Sequence, residues 1–120
     1  MMHFFDTYAI FEIIDGNPAY SQFQDEAIKT SVSNLGELYY GLLLRGKKSK
    51  ADAWFVLLQP DLVEIDPETM HQAMTFRHAH KKKRLSMTDC VGYMLARKAG
   101  LRFLTGDEAF KDIPDVEFVK

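Results

Sequence analysis

An α/β fold built on a mostly parallel sheet is predicted by three features of the sequence. The first is the stretch from residue 85 to 107, which reads as helix, turn and strand. The second is the repetition of that alternation along the chain, with short runs of strand character separated by helical segments. The third is size: 120 residues with 47% hydrophobic content make one ordinary domain with a substantial core. Strands separated by helices imply a parallel sheet covered on both faces. The expectation is a three-layer α/β/α sandwich forming a single domain over residues 1–120.

In chain order, residues 2–5 form a short strand ending at Asp6-Thr7. Residues 8–15 read as a helix with Ile10, Phe11, Ile13 and Ile14 on its apolar face, stopped by Gly16-Asn17-Pro18. Residues 19–25 suggest a short helix, and 27–32, mixing Ile, Thr and Val, a second strand. A helix starting at Ser33-Asn34 runs to about Arg45 and is closed by Gly46. Another spans 50–58, with Trp54, Phe55 and Leu58 facing inward, and Pro60 ends it. Residues 62–65 form a third strand. Asp66 then caps, and Pro67 opens, a helix reaching about Lys82. The next helix begins with Thr88 or Asp89 as its cap, carries Val91, Met94, Leu95 and Ala99 as a stripe, and stops at Gly100. Residues 101–104 make a fourth strand and 116–119 a last one at the edge.

Composition excludes several classes. One cysteine, Cys90, rules out an internal disulfide and suits a reducing cytoplasm. The opening Met-Met-His-Phe-Phe-Asp lacks the basic region and apolar run of a signal peptide, and no apolar run is long enough to span a bilayer. The net charge of −2 argues mildly against nucleic acid. Its distribution reverses that reading, because the positive residues gather at 45–50 and at 78–84. Four of the 17 acids also fall at equivalent places.

Those four are Asp6, Glu37, Asp89 and Asp107. Asp6 ends the first strand, Glu37 lies in the first turn of the helix after the second, Asp89 opens the helix before the fourth, and Asp107 follows that strand. A helix of about 11 residues rises roughly 16 Å, as does a strand of about five residues. A helix running back along its strand therefore returns Asp89 to the level of Asp107. All four acids then share the edge outside the carboxyl ends of the strands, where open α/β sheets keep their sites. Packed carboxylates repel, and Mg²⁺ or Mn²⁺, hard cations that prefer oxygen, relieve that repulsion. Three of the four also have local readings. Asp89 caps a helix, Asn34-x-x-Glu37 fits a capping box, and Asp107 suits a turn or cap. Asp6 has no such local need.

Four stretches resemble the PIN domains, and among them the toxin ribonucleases of VapBC-type toxin–antitoxin pairs. They are Phe4-Phe5-Asp6-Thr7, Ser33-Asn34-Leu35-Gly36-Glu37-Leu38, Leu85-Ser86-Met87-Thr88-Asp89, and Phe103-Leu104-Thr105-Gly106-Asp107-Glu108-Ala109-Phe110. The resemblance implies an acidic tetrad on Asp6, Glu37, Asp89 and Asp107, acting in catalysis and metal binding, with Thr7 and Thr105 in support. Tyr8 departs from the Asn or Ser common in the family. The implied activity is Mg²⁺- or Mn²⁺-dependent endoribonuclease cleavage by metal-activated water, in a cytoplasmic homodimer paired with an antitoxin. The alternatives are a housekeeping PIN nuclease of RNA maturation and an idle PIN module that only binds protein or RNA.

Other groups carry less. Lys81, Lys82, Lys83 and Arg84 suit phosphate contacts, or simply a solvated helix end. His71, His78 and His80 lack the support of a zinc site, and Cys90 reads as buried filler.

Overall fold

A computed structural model describes residues 2–120. The elements are β1 (His3–Phe5), α1 (Thr7–Ile14), a 3-10 helix at Pro18–Phe23, α2 (Val32–Leu44), α3 (Lys48–Leu57), a 3-10 turn at Gln59–Asp61 and α4 (Pro67–Ala79). A 3-10 turn at Lys81–Lys83, α5 (Met87–Lys98), β2 (Arg102–Thr105), a 3-10 turn at Glu108–Phe110 and β3 (Val116–Phe118) complete the chain. The sheet has the order β1-β2-β3, all parallel, with β2 in the middle.

The register explains the three layers. Phe4 pairs with Phe103 and Phe5 with Leu104. Successive strand residues point to opposite faces, so each pair supplies one face. Phe4 and Phe103 pack with Val91, Leu95 and Ala73 from α5 and α4. Phe5 and Leu104 pack with Ile10, Leu35, Leu38, Leu42 and Ala51 from α1, α2 and α3. Each such side chain contributes about 1.5–3 kcal/mol on full burial, against about 1 kcal/mol for a hydrogen bond. Three strands of three or four residues are thus held chiefly by the helices that cover them. Gly92 allows α5 to lie close, since a Cβ there would stand 3.0 Å from Phe4 and 3.1 Å from Phe103.

Two expected strands shrink to single parallel bridges, Phe4 with Lys29 and Thr30 with Leu62. In the first, Lys29 accepts the Phe5 N–H and the Thr30 hydroxyl donates to the Phe5 carbonyl. Ser31 then caps α2 at once, accepting the Asn34 N–H on its hydroxyl. Val32, read from its β-branching as strand, becomes the first helical residue and is 61% exposed. In the second, Val63 donates to the Thr30 carbonyl, and Val63 and Ile65 satisfy their hydrophobicity against the α4/α5 core rather than in a ladder.

Helix ends also move. The expected start at Ser33-Asn34 lies two residues inside α2, so Asn34 and Glu37 form no capping box. The α5 cap is Ser86, with Asp89 as the reciprocal partner three residues on. Asp66 and Pro67 start α4 as expected, the Asp66 carboxylate accepting the Thr69 N–H at 2.8 Å. That helix ends at Ala79 instead of Lys82, and Arg84 reverses the chain in a left-handed conformation, φ 56°. Phe55, expected to face inward, is 37% exposed, and Ala51 takes the buried place on α3.

The loop leaving β2 is tightly enclosed. The Tyr8 ring and the Val119 carbonyl press on the side of Gly106 where a Cβ would stand. Gly106→Ala should lower the thermal midpoint, in the range of about 1–3 kcal/mol for overpacking. Adding Tyr8→Ala should restore only part of it, because the Val119 carbonyl remains. A full recovery in the double variant, measured by thermal denaturation, would mean the ring alone sets the constraint.

Candidate functional site

The β1–α1 junction places Asp6. Its backbone is extended at the N-terminus of α1, its N–H donates to the Leu104 carbonyl, and its carboxyl makes no capping bond to the helix. The side chain is 3% exposed and accepts a 2.7 Å hydrogen bond from the Thr105 hydroxyl at the end of β2. The same Thr105 oxygen accepts the Asp107 N–H at 3.1 Å. One threonine thus ties two of the candidate acids. Asp107 caps the 3-10 turn that follows, taking the Ala109 N–H on Oδ1, and Asp89 takes the Ser86 N–H on Oδ2. Each keeps a second oxygen without a protein hydrogen-bond partner among the described residues. Local capping therefore leaves each carboxylate, among the described residues, an oxygen free of protein hydrogen bonds.

Glu37 is held differently. It lies in the second turn of α2, not the first, and accepts from the Thr7 hydroxyl at 2.8 Å. Thr7 in turn accepts from the Asn34 amide at 3.0 Å, and the Asn34 carbonyl oxygen accepts from the Ser31 hydroxyl at 2.7 Å. Thr7 has one hydroxyl proton. With Asn34 as donor, that proton points to Glu37. Ser31 and Asn34 are fully buried, so the chain of bonds is anchored in the core and ends at the rim. Ser33 and Thr88 join α2 to α5 beside it, their hydroxyls 2.5 Å apart.

The charges interact. Burial, with Asp89 and Glu37 nearby, pushes the Asp6 carboxyl up to about 7, against the lowering bond from Thr105. Glu37 is raised by desolvation and by Asp89, and Asp89 by desolvation and by Asp107. Asp6, Glu37 and Asp89 therefore lie within one another's fields, and Asp107 lies within reach of Asp89. Among the described residues, no group of three or more His, Cys, Asp or Glu side chains converges as a ready-made ion cage. The donor chemistry nevertheless fits a hard divalent cation. Mg²⁺ keeps several of its waters and needs only one or two carboxylates.

The remaining sequence candidates separate from this site. Among the described residues the His side chains join no group of three or more possible metal ligands, and His80 stacks on Phe76 at 4.1 Å. Cys90 is buried, and burial pushes its thiol up to about 11. Lys81–Lys83 and Arg84 are exposed beyond α4. Tyr8 packs against Gly106, and the hydroxyl bond to Asp6 comes from Thr105. Sequence reasoning missed Ser31 and Asn34 as a support for Glu37. Their spacing signalled a helix start, but the approach of Thr7 from another helix has no local signature.

The profile of the PIN domain family matches residues 3–116, and the chain belongs to that family. A search of curated proteins gives no match. Among solved structures, the chain is similar to a toxin–antitoxin complex from Klebsiella pneumoniae, with 17% identity, TM-score 0.76, and coverage of 96% of this chain and 95% of the other. It is also similar to VapBC2 from Rickettsia felis bound to a promoter DNA fragment, with 19% identity, TM-score 0.70 and coverage of 99% and 98%. At these identities the likeness speaks for the fold, a parallel sheet with helices on both sides.

The raised Asp6 carboxyl has a stability consequence. Folding raises its pKa from the ordinary 3.8 to about 7, so between these values the native state binds more protons than the unfolded chain. Stability in EDTA should fall as pH rises from about 4 to about 7 and then level. Asp6→Asn, which still accepts from Thr105, should flatten that fall and be the more stable protein at pH 8. Denaturant midpoints across pH test this, and parallel curves for the two proteins would contradict it.

Proposed function

We propose that this protein is a Mg²⁺- or Mn²⁺-dependent endoribonuclease, the toxin of a toxin–antitoxin pair, with its 120 residues forming a single PIN domain. PIN domains are nucleases, generally hydrolytic. The observation that carries the reading is the almost fully buried Asp6 carboxyl, bonded by the same Thr105 hydroxyl that holds the Asp107 N–H, with Glu37 and Asp89 close enough to raise it. A buried carboxyl without a cationic partner is costly, and such an arrangement suits a site completed by a cation.

Asp6 and Asp89 are the leading ligands in this reading, and Glu37 and Asp107 complete the set. A bound divalent ion would supply an activated water and charge for the leaving oxygen. The chain does the rest. Thr105 keeps one Asp6 oxygen oriented and holds the Asp107 loop, while Thr7 fixes the Glu37 carboxylate. Single-stranded RNA suits an open edge because its backbone is flexible and its bases can splay.

The similar structures from Klebsiella pneumoniae and Rickettsia felis are both toxin–antitoxin structures, which supports an antitoxin as partner. Tyr40, Leu44, Val56 and Leu57 on α2 and α3 are exposed and offer apolar contacts for it or for a second copy. Tyr39 and Trp54 are partly buried beside them. Phe23 is 5% exposed and belongs to the core, so it offers no such contact.

Purified protein should cut single-stranded RNA with Mg²⁺ or Mn²⁺, stop when EDTA is added, and leave 5′-phosphate ends. Asp6→Ala should abolish cutting. Cyclic-phosphate products, or undiminished cutting in EDTA, would overturn the mechanism. Thr7→Val removes the hydroxyl at nearly constant volume, and kcat should fall about tenfold to a hundredfold with KM little changed. Thr7→Ser should restore most of it. Equal loss in Thr7→Ser and Thr7→Val would remove the hydroxyl from the account.

A further inference from the structure

The α4–α5 connection forms a groove of about 530 Å³ lined by Met74, Arg77, His78, Lys81, Arg84 and Leu85. Three of its six residues are permanent cations. Among the described residues, none of these three has a carboxylate within ion-pair distance, although the chain carries 17 acids. Two backbone features hold the cations there. The Arg77 Nε–H donates to the Leu85 carbonyl at 2.9 Å, which fixes the guanidinium and leaves both Nη groups available. Arg84 adopts the left-handed conformation at φ 56°, which is uncommon for a non-glycine residue and turns the chain back toward α5. The groove also adjoins the acidic edge. Leu85 immediately precedes the Ser86 cap whose N–H holds Asp89, and the field of Arg77 reaches Asp89.

We propose that this groove is the backbone-binding track for the RNA strand, in which Arg77, Lys81 and Arg84 hold phosphates flanking the bond presented to the acidic edge. The inference rests on the ribonuclease reading and deepens it. An Arg fork matches a phosphate geometrically, and Lys serves as a point charge. Contacts of this kind position a strand without reading its bases. They also explain how a chain with net charge −2 can take a polyanion: the cations beside the acids are unpaired, while several cations elsewhere are bound in ion pairs such as Arg45–Asp15 and Arg102–Glu117.

The test uses a fluorescein-labelled single-stranded RNA oligonucleotide, with Ca²⁺ in place of Mg²⁺, and fluorescence anisotropy across a salt series. Arg77→Gln/Lys81→Gln should bind about tenfold more weakly than wild type near 0.1 M salt, with a log–log salt slope shallower by about 1.4, or 0.7 per lost contact. Lys81→Gln/Arg84→Gly should behave alike. It disturbs no internal side-chain hydrogen bond, and glycine accepts the left-handed backbone. Lys47→Gln/Lys50→Gln, which removes the same charge at the start of α3, should cost much less. If wild type binds and cuts RNA but the groove variants bind as tightly as the α3 variant, the groove assignment is overturned and the ribonuclease reading stands. If wild type neither binds nor cuts RNA, both fall.

Discussion

The hydrogen bond from Thr105 to Asp6 joins the ends of two parallel strands, and the arrangement of the acidic edge depends on it. It places a carboxyl in the interior where burial opposes ionisation, and it supplies one of the few interactions that favour the charged form. The pairing of Phe4 with Phe103 and Phe5 with Leu104 sets the register in which this bond is possible. A one-residue slip would send Asp6 toward the other face and reverse every core side chain on β1. The packing that secures that register is therefore also what positions the acid.

The other acids are held by elements with independent reasons to exist. Asp89 completes a helix cap, Asp107 caps a turn, and Glu37 is reached by a relay that begins at the cap of α2. Three helix or turn starts thus converge on the carboxyl end of a small sheet. Helix N-termini favour negative charge, so the local structure tolerates a concentration of acids that would otherwise be strongly repulsive. The remaining imbalance appears as the raised carboxyls of Asp6, Glu37 and Asp89.

The acidic edge and the basic groove are neighbours because α5 begins where the connection from α4 ends. The turn through Arg84 is short, so cations after α4 cannot be far from the acid at the third position of α5. Opposite charges brought this close would ordinarily pair. Here Asp89 accepts from the Ser86 N–H and Arg77 donates to the Leu85 carbonyl, and among the described residues the two form no ion pair with each other.

The sequence by itself determined the layer architecture and the helices, because each is encoded locally. Helical spacing and the Asp66-Pro67 start are readable from neighbours within a few residues. It overstated the segments at 27–32 and 62–65, since β-branched composition shows the wish for burial but not whether a ladder forms. It also read Asn34-x-x-Glu37 as a cap, because spacing alone cannot tell which of several Ser and Asn residues begins a helix. Only the tertiary structure decided that Ser31 caps α2, that Asn34 turns inward to Thr7, and that Thr7 holds Glu37. The partners Thr7 and Glu37 are 30 residues apart, and Thr105 and Asp6 are 99 apart. Contacts over such separations depend on how helices dock on the sheet, and that is fixed by the whole core at once.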